Sequence, residues 1–133
     1  RYLMGVGDPI DLIENSLRGI DLFDCVSPTR LARHGHAYTK NGKINLKNSK
    51  YKEDFTPVEE GCKCYACQSY TKAYIKHLIN ADETFGARLL SIHNIYFLEN
   101  LMKEIRENIK AGTLEDYRDK FILSYYGEGY EYK

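Results

Sequence analysis

The chain has 133 residues, 43% hydrophobic and 29% charged, with 19 basic and 19 acidic side chains and a formal net charge of zero. That balance predicts one modest globular domain, excludes wholesale disorder, and by itself points to no polyanion partner. No apolar run approaches the roughly 20 residues a bilayer span needs, and no signal-peptide pattern opens the chain, so the four cysteines read as cytosolic thiols or metal ligands.

The first residue is Arg1, and Tyr2-Leu3-Met4-Gly5-Val6-Gly7 already reads as a strand under way. We therefore expect that residues were removed or that a longer polypeptide contains this one. Residues 2–6 are a short apolar run like a buried strand. Asp8-Pro9-Ile10-Asp11 is a helix start, with Asp8 as N-cap and Pro9 in the first helical position. Ile10, Ile13 and Leu17 share one face of that helix, which ends near Gly19. Leu22-Phe23-Asp24-Cys25-Val26 is a second strand, stopped by Ser27-Pro28. Strand, helix and strand in so short a span predict a βαβ unit and a parallel sheet. Functional groups in such sheets collect at the carboxyl ends of strands, where Gly7 and Asp24 lie.

Residues 36–47 read as a hairpin around Asn41-Gly42, a type I′ turn signal. Next comes Cys62-Lys63-Cys64-Tyr65-Ala66-Cys67. A helix is expected over 68–80, with Tyr70, Tyr74 and Leu78 on one stripe. A long helix over about 83–110 carries Leu98, Leu101, Met102, Ile105 and Ile109 as its apolar stripe and ends at Lys110 and Gly112. A last helix near 114–126 carries Leu114, Tyr117, Phe121 and Ile122. The tail from Gly127 has no periodicity and reads as loose.

Three thiols within six residues leave an odd thiol in any local disulfide set, which suits a metal better. With a histidine they make a soft tetrahedral donor set for structural zinc; the alternative is three buried or reactive cysteines with no metal. His77 and His93 both lie on predicted helices, and spacing does not choose between them. Asp24 sits between Phe23 and Cys25, where a buried carboxylate needs a reason. It is either a nucleophile or general base, or an ordinary carboxylate paired with a basic residue. From 25 to 52 the chain carries Arg30, Arg33, Lys40, Lys43, Lys47, Lys50 and Lys52 and no acidic residue. Tyr38 and Tyr51 are interleaved. That is the footprint of a phosphate-binding face with aromatics available to stack on bases, or else a solvated basic hairpin. Arg30 and Arg33 are the more pointed pair, since guanidinium suits phosphate and base edges.

Together these segments resemble the carboxyl-terminal part of a bacterial tRNA-guanine transglycosylase. The resemblance rests on Tyr2–Gly7, Gly19–Val26, Pro28-Thr29-Arg30, the three-cysteine run and Ser91-Ile92-His93-Asn94, and covers about residues 1–126. It implies an α/β fold: the last two βα units of a (β/α)8 barrel, a zinc-binding subdomain and closing helices. Residues 1–35 would be the barrel strands and helix with the nucleophile, and 36–93 the zinc subdomain with its basic hairpin. Residues 94–126 would be the closing helices and 127–133 the loose tail. The family replaces wobble guanine of certain tRNAs with 7-aminomethyl-7-deazaguanine, the queuosine precursor. Asp24 matches its nucleophile, Met4 a residue packed on the bound base, and Tyr2 one lining the same pocket. Arg30 and Arg33 match contacts to the anticodon-loop RNA, and the Lys43 and Lys47 stretch would extend that face. Cys62, Cys64, Cys67 and His93 match the zinc ligands, so the resemblance selects His93 over His77.

Asp8 stands where the family often has a basic residue. The second catalytic aspartate, the Gly-rich stretch and the groups that read the guanine edge would lie upstream, in a missing barrel portion. Implied partners are that portion, the tRNA anticodon arm, the 7-deazaguanine base and a second copy of the complete enzyme, in the cytoplasm. The alternative is a non-catalytic zinc-dependent RNA-binding or accessory subunit, which would have no need of Asp24.

Overall fold

The computed structural model describes residues 1–132. In chain order it contains β1 (Tyr2–Leu3), α1 (Pro9–Leu17), β2 (Leu22–Phe23), α2 (Ser27–Arg33), β3 (His36–Thr39) and β4 (Gly42–Asn45). A 3-10 turn (Ser49–Tyr51) follows, then α3 (Tyr65–Ser69), α4 (Lys72–Asn80), α5 (Thr84–Ala111) and α6 (Leu114–Tyr125). No helix among the described residues is long and apolar enough to cross a membrane. The chain forms two compact units. The first comprises Arg1–Ser27, Lys40–Gly42 and the chain from Leu98 onward; the second comprises Pro28–Thr39 and Lys43–Phe97.

In the first unit β1 and β2 pair in parallel, Tyr2 opposite Leu22 and Leu3 opposite Phe23. The expected βαβ unit is therefore present, but both strands are shorter than the apolar runs. The reason is local: Gly5 turns the chain at φ +74°, which ends the ladder after Leu3. Pro9 fits the first turn of α1 as expected, although the Asp8 side chain makes no cap hydrogen bond. Asp8 instead accepts from the Tyr126 hydroxyl at 3.2 Å. The core joins Leu12 and Ile13 of α1 to Leu101 and Ile105 of α5 and Leu114 of α6, with Leu17, Phe23, Leu98, Met102, Tyr117 and Phe121 packed around them. Each such buried aliphatic side chain contributes about 1.5–3 kcal/mol. Ile109, the last member of the predicted stripe, is 54% exposed; it lines an open cleft with Ser16 and Leu17 at the end of α1. Beyond α6 the described residues form no further element, yet they are not free: Tyr130 stacks on Tyr126 with ring centres 4.1 Å apart, and the Tyr132 hydroxyl donates to Asp11 at 2.9 Å. Lys133, the last residue of the predicted tail, lies outside the described residues.

The second unit is built on β3, β4 and the helices α2 to α5. Its core gathers Ala32, Ala37, Leu46, Tyr51, Val58, Ile75, Leu78, Leu89 and Leu90 around Cys64 and Cys67. Ser27-Pro28 does not merely stop β2. It opens α2, with Pro28 in the first turn where its missing N–H is harmless. The predicted 68–80 helix is two helices. Tyr70 is extended (φ −136°, ψ 167°), and Thr71 restarts the helix by accepting from the Tyr74 amide at 3.2 Å. The hairpin turn also differs from expectation. A type I′ turn needs positive φ at both central residues, but Asp82 is the one described non-glycine residue with positive φ. Gly42 instead belongs to the first unit, where a Cβ on it would lie 3.1 Å from the Tyr125 carbonyl oxygen of that same unit, so the glycine serves a close approach by the end of α6.

Candidate metal centre and carboxylate site

In the second unit, Cys62, Cys64, Cys67 and His93 converge, with their ligand atoms all within 4.8 Å of one another. Cys64 caps α3, its sulfur accepting from the Cys67 amide at 3.3 Å. That cap turns the chain so that positions 64 and 67 face the same side. His93 comes from the middle of α5 and is fully buried. Its Nδ1 lies 3.6 Å from Cys62 Sγ, 3.6 Å from Cys64 Sγ and 3.4 Å from Cys67 Sγ. Its Nε2 donates to the Tyr38 carbonyl at 2.7 Å. That bond fixes the tautomer and leaves the Nδ1 lone pair aimed at the sulfurs, the usual outer-shell arrangement of a ligating histidine. His77 is exposed on α4 and takes no part in the cluster.

The donor set fits a tetrahedral cation. Metal–sulfur bonds of about 2.3 Å and metal–nitrogen bonds of about 2.0–2.1 Å make a tetrahedral N···S edge of about 3.5 Å, matching the observed 3.4–3.6 Å. The electrostatics agree. The Cys64 thiol is drawn down to about 4, chiefly by its hydrogen bond with Cys67, while Cys67 goes up for the same reason. Burial works against charge on His93, but Cys62, Cys64 and the Tyr38 carbonyl outweigh it and carry the imidazole up to about 10. Without an ion the cluster thus pairs a thiolate with an imidazolium; a bound cation would take over that positive charge and displace the Nδ1 proton, freeing the lone pair for the metal.

In the first unit, Asp24 follows β2 and is exposed, so burial is not what it has to overcome. Its carboxylate accepts from the Tyr2 hydroxyl and from the Gly5 amide at 3.1 Å. Its described partners are thus a phenol and a backbone N–H, not the basic side chain of an ordinary ion pair. The Tyr2 bond first, then the Gly5 bond, holds the Asp24 carboxyl below the usual carboxylate range; the same contact pushes the Tyr2 phenol up. Met4 is 71% exposed and immediately precedes Gly5. The parallel register therefore gathers Tyr2, Met4 and Asp24 at the carboxyl ends of β1 and β2. Sequence reasoning missed that Tyr2 bonds Asp24, because strand register is not legible from composition. It also missed the role of Gly7: a Cβ there would lie 2.4 Å from Cys25 Cβ, so only glycine lets the β1–α1 segment approach the residue after Asp24.

The basic face belongs to the second unit. Arg30 and Arg33 are exposed on α2, Lys43 is exposed on β4, and Lys47 is exposed just beyond it. Burial first, then Lys43, His34 and Lys47, pushes His36 down, as a concentration of positive charge would. The interleaved aromatics do not stand on that face. Tyr38 is fully buried and stacks on Phe97 at 5.5 Å, and Tyr51 lies in the core beneath Lys50 and Lys72. A hairpin with charges outward turns its large rings inward, where they gain most from leaving water.

The match with known proteins covers both units. The family model described as queuine tRNA-ribosyltransferase matches residues 1–127. A relative of that name from Macrococcus caseolyticus is 57% identical over 125 residues, 94% of this chain and 33% of the relative. Relatives of the same name from Pediococcus pentosaceus and Dictyoglomus turgidum are 55% and 57% identical over the same share of this chain. The chain spans about a third of the length of these curated relatives. A match that runs from the Asp24 strand pair through the four-ligand cluster to the closing helix leaves one conclusion: this chain belongs to the queuine tRNA-ribosyltransferase family.

Proposed function

We propose that the complete polypeptide containing this chain is a pentosyltransferase that exchanges wobble guanine of tRNA for 7-aminomethyl-7-deazaguanine, in queuosine biosynthesis. The observation that carries this reading is the Asp24 carboxylate, exposed and kept ionised by Tyr2 and Gly5 beside the exposed Met4. In this mechanism an Asp24 oxygen attacks the ribose anomeric carbon. The glycosidic bond to guanine breaks, and guanine leaves with the bonding pair and takes up a proton. The incoming base then attacks the same carbon through its ring nitrogen, loses a proton, and displaces the Asp24 carboxylate. Two inversions give net retention. Met4 packs on the base and Tyr2 both lines its pocket and orients the nucleophile. On this reading β1–α1 and β2–α2 are the last two units of a (β/α)8 barrel, residues 36–93 form the zinc subdomain, and 94–126 close it. The other acid/base residue and the base-reading groups lie upstream, so the 133-residue chain alone is expected to be inactive. The direct test is entry of labelled guanine into substrate tRNA with the complete polypeptide; no incorporation would overturn the reading.

Removing the Tyr2 hydroxyl tests the orienting role. Asp24 is depressed in the folded protein, so its ionised form persists below the usual carboxylate range. In Tyr2→Phe that depression shrinks, and the acid limb of kcat/KM moves to higher pH while the rate near pH 7 changes little. An unmoved acid limb would show that Tyr2 does not tune the nucleophile.

Zinc is the metal we assign to Cys62, Cys64, Cys67 and His93, because three thiolates and one imidazole in closed tetrahedral order select it and leave no position for activated water. Its role is structural. Arg30, Arg33, Lys43 and Lys47 would grip the tRNA anticodon arm. For every phosphate that loses its cationic partner, the salt dependence of binding should become shallower by roughly one unit of slope. Lys43→Glu with Lys47→Glu in the complete enzyme is therefore expected to weaken tRNA binding strongly at low salt and reduce that slope; unchanged low-salt affinity would make the stretch a solvated hairpin. We also propose that the complete enzyme is a cytoplasmic homodimer that pairs through its zinc region. In support, Tyr65, Tyr70 and Tyr74 form a partly exposed aromatic cluster there, Tyr70 stacking on Tyr74 at 5.3 Å.

A further inference from the structure

Asn94 follows the metal-facing histidine on α5 and has no part in the mechanism, yet it is fully buried in the second unit with every amide bond used. Its Oδ1 accepts from the Tyr38 amide at 3.0 Å. Its Nδ2 donates to the Pro28 carbonyl at 3.0 Å and to the His36 carbonyl at 3.1 Å. Next to it, His93 donates to the Tyr38 carbonyl. Two consecutive helix side chains therefore stand in for a neighbouring strand along β3, satisfying the amide and carbonyl of Tyr38 and the carbonyl of His36. The third bond reaches the first turn of α2, which carries Arg30 and Arg33. β3 leads directly into β4, which carries Lys43. The ring that turns Nδ1 to three sulfurs and the amide that holds both basic segments thus share one turn of α5.

We infer that Asn94 is a positioning residue that couples the metal centre to the basic face, so that order at the metal sets the spacing of Arg30 and Arg33 relative to Lys43. The inference rests on the proposed RNA-binding role of that face. It assigns Asn94 to docking and not to chemistry. Buried, fully bonded carboxamides are costly to lose because each abandoned backbone group must be left unpaired. Local rearrangement would relieve that cost, in the segments whose backbone Asn94 holds, α2 and β3.

The test uses the complete enzyme carrying Asn94→Ala. Zinc content is expected to stay at the parental level, and kcat at saturating tRNA to stay close to parental. KM for tRNA should rise about tenfold for each phosphate partner displaced near 0.1 M salt, with the salt slope shallower by about one unit per partner. Hydrogen exchange should quicken in 27–47 before it does in 84–111. If Asn94→Ala does not accumulate as folded protein, Asn94→Thr, which keeps one hydrogen-bonding group in less volume, is put to the same measurements. Loss of zinc would assign Asn94 to the metal site itself and overturn the coupling. Unchanged KM and slope with quickened exchange would reduce it to packing. The double charge reversal at Lys43 and Lys47 runs alongside. If that reversal weakens binding and Asn94→Ala does not, the coupling alone falls. If neither changes binding, the RNA reading falls and takes the coupling with it.

Discussion

Asp24→Asn in the complete polypeptide is expected to abolish base exchange, by on the order of 10⁴-fold or more, as removal of an attacking group does in other covalent catalysts. Asparagine keeps the size of the side chain and can still accept from Tyr2 and Gly5, so the ends of β1 and β2 should hold their geometry. What disappears is an anionic oxygen able to form the ester with ribose. Binding of tRNA should survive, because the basic residues assigned to it lie in the second unit. A covalent adduct between tRNA and the parent enzyme should be visible under denaturing electrophoresis and missing from the variant. Near-parental exchange by Asp24→Asn would overturn the nucleophile assignment. Exchange by the 133 residues alone would overturn the account of what lies upstream.

Removing the metal is expected to unfold the second unit. Closed three-thiolate, one-imidazole zinc sites contribute about 10 kcal/mol or more of binding free energy at pH 7, comparable to the whole stability of a small domain, about 5–15 kcal/mol. Without the ion, three sulfurs and a buried imidazole face one another beside a core built mainly of aliphatic and aromatic side chains. Chelation should therefore abolish hydrogen-exchange protection through residues 28–39 and 43–97. Cys64→Ser is the sharper variant: serine still caps α3, so a large loss isolates the sulfur's role as ligand from its role as cap. His77→Ala, at an exposed position, should change stability by no more than about 0.5 kcal/mol. Unchanged metal content and melting in Cys64→Ser would refute the assignment.

What the sequence determined by itself is what local spacing encodes. Pro9 after Asp8, followed by apolar residues at helical spacing, suffices for α1, and the flanking apolar runs suffice for a parallel pair. The C-x-C-x2-C run suffices to mark a metal-ligand cluster, because three thiols so close together leave one unpaired in any local disulfide set; the cap by which Cys64 turns Cys67 to its own side is a feature of the folded chain. The basic stretch is legible because seven like charges without a counter-charge have to face water.

Tertiary structure decided everything that depends on which faces meet. His77 and His93 look alike on helical wheels; from the residues alone the choice stays open, and it is made by the packing of α5 on β3, where the Tyr38 carbonyl waits for Nε2. Tyr38 and Tyr51 read as surface stackers until the core claims their area. Tyr2 reaches Asp24 only through a register, twenty-two residues apart in sequence, that no period reveals. The break at Tyr70 follows from the hydrogen bonds of Lys72 and Ala73 to the loop at Thr56 and Asp54, which a continuous helix would take away. Asn94, fully bonded between α2 and β3, is the clearest case: one polar residue in a helix signals nothing by itself, and its meaning lies wholly in the three backbone groups that the fold brings to it.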